Sequence, residues 1–394
     1  MREESLPKRH ARVERGIYRR ATADGTKYEY CFADENGKTR WVTVRTLKEA
    51  RDSRAAKIAA VTRGDRVVAP TKVTFGEWAE EWFEIKRTRL RIATANAYRS
   101  SLDLVLLPRF GNWRLVTIDA DAIARLTRDL EREGLRSINQ ARPNRPLGRS
   151  SIDNYLKPLQ GALGLAVRRG KIATNPFDIL TADDRPARKE RQPAHEWADE
   201  EVHALLAASA ALAEKATSRY DYEPLLRVVA RLGLRQAEVL GLQWKDFDKD
   251  GGYLFVRRQW TRLGEYGPPK TTAGSRRIPL PDDLCGELSA LRSRSRHSRA
   301  DEPIFASRQG TPIGHRNLTR RGFEPARNLA GLPGYLTFHD LRHAAASRLI
   351  RAGLDPVTVA NVLGHEDANV TLAIYAHLYD RMRTDKAVRL ALAA

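Results

Sequence analysis

Thr337-Phe338-His339-Asp340-Leu341-Arg342-His343, then Leu363-Gly364-His365, then Tyr375-Ala376-His377 are the stretches that decide how this chain is read. Thr337 is placed to cap a helix, with Asp340 completing a capping box, so His339 and Arg342 fall one turn apart on one face. Gly364 is suited to end a helix just before His365. Asn369 is placed to cap the next helix, which carries Tyr375. Upstream, Leu232-Gly233-Leu234-Arg235 sets Arg235 at the start of a short helix after a glycine turn, with Glu238 on the same face. Lys270 lies in a Gly/Pro-rich connection between two expected strands, 253–261 and 276–280. Ser275-Arg276-Arg277-Ile278-Pro279-Leu280 follows it.

Singly, each of these residues has an ordinary explanation. Tyr375, beside Leu372 and Ile374, reads as a half-buried core residue, Arg235 as a surface charge and His365 as a helix cap. Lys270 reads as a common loop residue. What outweighs those explanations is their co-occurrence in one order within about 140 residues, a constellation in which each group has a chemical role. A phenol is an oxygen nucleophile able to form a phosphodiester. Arg235 and Arg342 can clamp nonbridging phosphate oxygens with rigid, always-charged forks. His339 and His365 can donate hydrogen bonds or move protons. Glu238 is suited to orienting Arg235, and His343 to a supporting role. A zinc site at His339 and His343 competes, because their spacing is that of a zinc helix. Arg342 puts a fixed positive charge inside that turn, and no third ligand follows at the usual spacing. No cofactor is therefore expected, and no phosphate-cradling G-x-x-x-x-G-K-[ST] loop is found.

The chain around these motifs has 394 residues and a formal charge of +20. The excess is spread out. Residues 1–70 carry 17 basic and 10 acidic side chains, 71–185 carry 20 and 14, and the remainder 32 and 25. Every region can therefore face a polyanion, nucleic acid above all. Two distant cysteines, Cys31 and Cys285, suggest neither a disulfide framework nor a metal cluster. A charged N-terminus and the lack of a long apolar run point away from secretion and membranes and toward the cytoplasm.

Three modules are expected. Residues 1–63 read as three short strands, at 16–20, 27–34 and 38–44, followed by a helix capped by Thr46. Asp24-Gly25 and Asn36-Gly37 mark the turns. Arg19, Arg20, Lys27, Lys38 and Arg40 decorate these strands, and a β-ribbon fits a major groove. Residues 64–72 read as a linker. Residues 73–180 read as an all-α domain, with a helix capped by Thr74, a second over 94–107 stopped by Pro108, a third from Asp119 or Asp121, and a fourth over 150–169 ended by Gly170. Arg89, Arg91, Tyr98, Arg99, Arg145, Arg149 and Lys157 are its candidate DNA contacts. Residues 181–193 are a second linker, and 194–394 form a mixed α+β domain.

The order Arg235, Lys270, His339-x-x-Arg342, His365, Tyr375 resembles the catalytic domain of the tyrosine recombinase (phage integrase) family. The resemblance extends to residues 73–180, which are similar to that family's helical, SAM-like core-binding domain, and to residues 1–63, which are similar to its arm-binding module. Gln236-Ala237 departs from the family's usual residues after the arginine but leaves Arg235 and Glu238 in place. The resemblance implies a site-specific recombinase of a mobile element that cuts and rejoins double-stranded DNA through a 3′-phosphotyrosine at Tyr375. It implies Lys270 as the group that protonates the leaving 5′-oxygen. It also implies a clamp closed on the duplex by the two larger modules and a tetramer on DNA at the bacterial nucleoid. A host DNA-bending protein and a directionality factor are its further possible partners. A type IB topoisomerase-like enzyme would share the chemistry without partner DNA. A catalytically dead DNA-binding regulator would lack one of the six catalytic residues.

Overall fold

Two helix starts follow directly from the cap chemistry of the sequence. Thr46 Oγ accepts from the Glu49 backbone N–H at 3.1 Å and opens α1 (Leu47–Thr62). Thr74 and Glu77 form a complete capping box at the head of α2 (Phe75–Arg87). The computed structural model describes residues 10–22, 25–34, 37–62, 72–187, 195, 197–215 and 220–393. It divides into two units, Met1–Arg191 and Gln192–Ala394. The turn residues Asp24 and Asn36, most of the expected linker 64–72 and the end of the expected linker 181–193 lie outside the described residues.

The first unit begins with an antiparallel sheet of β1 (His10–Glu14), β2 (Ile17–Thr22), β3 (Gly25–Ala33) and β4 (Thr39–Val44), in that order. It has four strands where the sequence suggests three. The extra strand, β1, pairs His10 with Arg20 and Arg12 with Tyr18, then loses register before Glu14. It is an edge strand held by its backbone ladder, and Val13 is exposed, so no apolar alternation marks it. Ile17, Tyr30 and Phe32 bury one face of the sheet against Ala50 of α1. On the other face Tyr18 and Trp41 meet with ring centroids 5.1 Å apart.

The helical part of this unit buries Phe75, Trp78, Trp82 and Phe83 of α2, as their helical spacing implies. Trp78 Nε1 donates to the Ala162 carbonyl at 2.8 Å, tying α2 to α6 (Arg149–Arg168). Pro108 does not end the second helix. Instead α3 (Ile92–Ser101) passes through a π-helical turn, Leu102–Leu106, into α4 (Leu107–Phe110). Shifting to i→i+5 pairing lets the chain continue past a residue that has no N–H to give. Asp119 caps α5 (Ala120–Glu133), accepting from the Ala122 N–H at 2.7 Å. Gly170 follows α6 at φ +64°, as a helix stop requires.

The second unit opens with α7 (Asp199–Glu214) and α8 (Glu223–Leu232). Next come α9 (Gln236–Leu240), β5 (Phe247–Asp248) and β6 (Tyr253–Val256). The strand expected over 253–261 is broken: after Val256 the chain leaves to form a separate hairpin of β7 (Gln259–Trp260) and β8 (Tyr266–Gly267). The charged pair Arg257-Arg258 marks the break. Arg258 is drawn to the buried Asp246, and Arg257 stacks over the Phe255 ring at 4.4 Å. β9 (Arg276–Pro279) returns to pair antiparallel with β6, giving the order β5-β6-β9. Then follow α10 (Asp282–Arg294), α11 (His315–Asn317), α12 (Glu324–Leu329), α13 (Asp340–Arg351), α14 (Pro356–Leu363) and α15 (Ala368–Leu392). One large core runs from Trp197 through α8, the sheet and Phe323 to Ala344. A smaller one joins α13, α14 and α15 through Ala346, Ile350, Val359, Leu363, Tyr375 and Leu378. The catalytic motifs thus ride on elements packed by two adjoining cores.

Candidate active site

Arg235 is the N-cap residue of α9, two residues after Gly233, which closes α8 in the left-handed conformation at φ +67°. That turn aims two groups. The Gly233 carbonyl accepts from Arg342 Nη1 at 2.7 Å. The Arg235 guanidinium splits between Glu238, with Nη1 to Oε1 at 2.7 Å, and the Gly364 carbonyl, with Nη2 at 2.9 Å. Glu238 Oε2 also accepts from the Arg235 N–H at 3.0 Å. Glu238 thus holds both the side chain and the backbone N–H of Arg235. Gln236, the departure from the family pattern, donates to the His315 carbonyl at 3.0 Å and to Thr319 Oγ at 3.1 Å. It ties α9 to the following helices and leaves Arg235 undisturbed.

A residue given no role in the sequence reading completes this network. Arg276 donates to Glu238 Oε2 at 3.1 Å, to the Val362 carbonyl at 2.6 Å and to the Gly274 carbonyl at 3.1 Å. Its side chain is only 7 % exposed. One signal was present: Arg276 shares a strand face with the buried Ile278, while Arg277 and Pro279 alternate outward. Burial pushes the Glu238 carboxyl up, but Arg276 and Arg235 outweigh it and hold it below the usual carboxylate range. Burial pulls the Arg276 guanidinium below its ordinary value even with Glu238 beside it.

Arg342 is buried, at 3 % exposure, and its Nη2 has no hydrogen-bond partner among the described residues. Burial, reinforced by the positive charge of Arg235, lowers its pKa to about 9. Three guanidinium groups thus gather around one carboxylate, leaving an uncompensated positive charge. A buried charge without a partner is costly, and an anion would relieve it.

His339, Arg342 and His343 lie on one face of α13, but the helix begins two residues later than the capping pattern suggests. His339 is its N-cap, and the Asp340 carboxylate accepts from the Thr337 N–H and hydroxyl. The His339 and His343 rings meet edge to face, 5.3 Å apart. His343, read in the sequence as a supporting residue, has its Nδ1 2.5 Å from Tyr375 Oη. Tyr375 is 2 % exposed, and burial raises its phenol above the usual tyrosine value. The helix carrying it is capped by Asp367 rather than Asn369, since the Asn369 N–H donates to Asp367 Oδ1 at 2.9 Å. His365 follows Gly364, left-handed at φ +70°, and its Nδ1 meets the buried Thr371 hydroxyl at 2.8 Å. Burial and then the charges of Arg342 and Arg235 lower its pKa to about 4.

Lys270 is exposed on the connection from β8 to β9. The far end of that connection reaches the site, since Ala273 and Arg276 crowd the Gly364 turn. Among the described residues, no group of three or more His, Cys, Asp or Glu side chains is placed to hold a metal. Both cysteines are free and half-buried. Of the candidate DNA contacts, Arg19, Arg20, Arg89, Arg91, Arg145 and Lys157 are exposed. Five of the candidates pair within the fold: Arg20 with Glu29, Arg40 with Asp34, Arg149 with the Pro186 carbonyl, Lys157 with Asn154, and Arg99 with both Glu80 and Asp103.

The chain is similar to known proteins over most of its length. Residues 197–382 match the model described as the phage integrase family, and residues 74–130 match the phage integrase N-terminal SAM-like domain. The chain is 26% identical over 381 residues to a XerC-like tyrosine recombinase of Caldanaerobacter subterraneus subsp. tengcongensis, covering 89% of this chain and 92% of that protein. It is 32% identical over 254 residues to the tyrosine recombinase XerC of Xylella fastidiosa, covering 63% of this chain and 77% of that protein. Its fold is similar to that of the Tn1549 transposon integrase in complex with transposon right end DNA, with a TM-score of 0.65 at 20% identity. That match spans 81% of this chain and 100% of the other. It is also similar to a lambda integrase tetramer bound to a Holliday junction, with a TM-score of 0.55 at 20% identity, covering 93% of this chain and 97% of that one.

Proposed function

The chain belongs to the phage integrase family of tyrosine recombinases, and from that premise we propose that it recombines specific DNA sites of a mobile element through a covalent bond to Tyr375. The observation that carries this reading is the buried Nη2 of Arg342, without a hydrogen-bond partner among the described residues, on the helix whose His343 meets the Tyr375 hydroxyl. A phosphate diester is the anion that fits beside a phenol nucleophile. Arg342 and Arg235 would hold the nonbridging oxygens as charge builds on them. Tyr375 Oη forms a bond to phosphorus, the bond from phosphorus to the 5′-oxygen breaks, and Lys270 gives that oxygen its proton. His365 donates a hydrogen bond to the phosphate. The phosphotyrosine conserves the bond energy, so the reverse attack by a partner strand's 5′-hydroxyl rejoins DNA without a nucleotide.

In this reading residues 194–394 form the catalytic module, 73–180 grip the core site and 1–63 bind arm-type sites, joined by the linkers 64–72 and 181–193. Arg19, Arg20, Arg89, Arg91, Arg145 and Lys157 are the candidate phosphate contacts that are exposed. The chain works as a tetramer on DNA, with a host DNA-bending protein and a directionality factor setting the direction. Among the described residues no helix is long and apolar enough to cross a membrane.

The test is incubation with nicked duplexes, which trap the covalent adduct, and in parallel with supercoiled plasmids carrying the element's attachment sites. Covalent adduct together with recombinant product is the expected result. Relaxation of supercoils without recombinants would indicate a topoisomerase, and the absence of any adduct would indicate a DNA-binding regulator.

A further inference from the structure

Tyr375 and His343 pose a problem that the arginine clamp does not solve. A phenol buried to this degree is a poor nucleophile until its proton leaves, and burial makes that loss harder. An acceptor must therefore be in reach. Among the described residues, the side-chain partner of the Tyr375 hydroxyl is His343, whose ring lies 5.7 Å from the tyrosine ring, centroid to centroid. We infer that His343 Nδ1 is the base that takes the Tyr375 proton as the phenol oxygen attacks. The inference rests on the reading of Tyr375 as nucleophile.

The geometry satisfies what a base needs. Nδ1 faces the hydroxyl at 2.5 Å, so the neutral ring must carry its proton on Nε2 to accept there. The ring is half-buried on α13, opposite α15, and is fixed by the packing of Ala346, Ile350, Val359 and Leu363 around the tyrosine. The charged and titratable groups around it are His339, Asp340 and Arg342 on its own helix, Tyr375 on α15 and His365 before α15. Burial, with Arg342 adding to it against Asp340, keeps the His343 imidazole below its ordinary value. The base is thus unprotonated and ready at neutral pH.

The step balances without any further reagent. The Oη–H bond breaks and the proton joins His343 Nδ1. The Oη–phosphorus bond forms while the bond to the 5′-oxygen breaks. On rejoining, the imidazolium returns the proton to the departing tyrosine oxygen. Among the described residues His339, one turn back at the head of α13, makes no hydrogen bond to the hydroxyl and is left to hold the phosphate.

The experiment uses a duplex whose scissile bond carries a bridging 5′-sulfur. A thiolate leaves without a proton, so only the base side of the reaction is read. The full-length parent should cleave it with a rate that falls as pH drops below the ordinary histidine range. His343→Gln should lose that limb and cleave about 10²–10⁴-fold more slowly at neutral pH, the usual contribution of a general base. DNA binding should be unchanged. Imidazole should restore much of the rate to His343→Ala, which a purely structural role would not allow; this arm decides the matter if His343→Gln folds poorly. Parent-like cleavage by His343→Gln, absence of rescue, or loss of the pH limb in His339→Gln with its retention in His343→Gln would each overturn the proposal. Tyr375→Phe separates the two readings: an adduct formed by that variant breaks the nucleophile assignment itself, whereas failure of the His343 arms alone leaves that assignment standing.

Discussion

The Arg235 guanidinium donates to the Gly364 carbonyl at 2.9 Å, across 129 positions of chain. The turn that begins α9 and the turn that delivers His365 are therefore one structural object, with Arg276 clamped between them. Glycine is needed at 364 for two reasons. Its φ is +70°, and an added Cβ would come within 2.6 Å of Arg276 Nη1 and 3.1 Å of the Ala273 carbonyl oxygen. Gly364→Ala should lower stability by about 1–3 kcal/mol, the usual cost of such backbone strain. It should also slow cleavage at least about tenfold, because Arg235 and His365 move together. Urea unfolding and single-turnover cleavage check both parts. Unchanged cleavage in a destabilised variant would separate the turn from the site.

Glu238 is the lone carboxylate among three guanidinium groups, and Glu238→Gln keeps its shape while removing its charge. Breaking such a buried pair costs about 3–5 kcal/mol. The expected pH dependence follows from its lowered pKa. A depressed carboxyl contributes its full stability above the unfolded value of 4.5 and loses it as pH falls through the lower folded value. The gap in unfolding free energy between parent and variant should thus be wide at pH 7 and narrow below about 4.5. A gap independent of pH would mean that the carboxylate charge does not stabilise the site.

His365 takes a proton near 6.5 when unfolded but only near 4 in the folded site. Its contribution to stability is complete above 6.5 and is lost as pH falls toward 4, because the unfolded chain then binds a proton that the native site refuses. At neutral pH it is therefore a neutral imidazole, and in the proposed reaction it would meet the phosphate as a neutral hydrogen-bond donor. Histidine ring resonances, assigned with His365→Gln, should show no titration of His365 between pH 7.5 and 5.5. A midpoint near 6.5 would contradict this environment.

Much of this site was legible in the sequence, and what was missed has physical causes. The helix caps at Thr46, Thr74 and Asp119 were readable because a cap is local chemistry. The order from Arg235 to Tyr375 was readable because each residue type has a distinct job. Pro108 misled because a π-helical turn, invisible to periodicity, carries the helix past it. Strand β1 was missed because backbone pairing at an edge leaves no apolar pattern. Arg276 and His343 depend on tertiary contacts: one reaches a carboxylate 38 positions away, the other a phenol 32 positions away. Asp367 displaced Asn369 as the cap of α15 because the helix already begins at Ala368, where the Asp367 carboxylate reaches the Asn369 N–H.

Arg342 supplies a planar fork, and Arg342→Lys keeps the charge while losing the fork. Removing a transition-state donor of this kind costs about 10²–10³-fold in rate. Cleavage by Arg342→Lys should fall in that range with little change in DNA affinity. The parent should be indifferent to chelators, because its charge stabilisation comes from guanidinium groups. Restoration of a chelator-treated parent by added Zn²⁺ or Mg²⁺ would overturn the arginine-clamp account.

The central claim is that Tyr375 becomes joined to DNA. The most direct measurement traps the parent on a nicked site duplex, digests the adduct and locates the modified peptide by mass. The account predicts a nucleotide on Tyr375, and no adduct from Tyr375→Phe even though that variant still binds the duplex. A nucleotide on Tyr379, or an adduct formed by Tyr375→Phe, would contradict it.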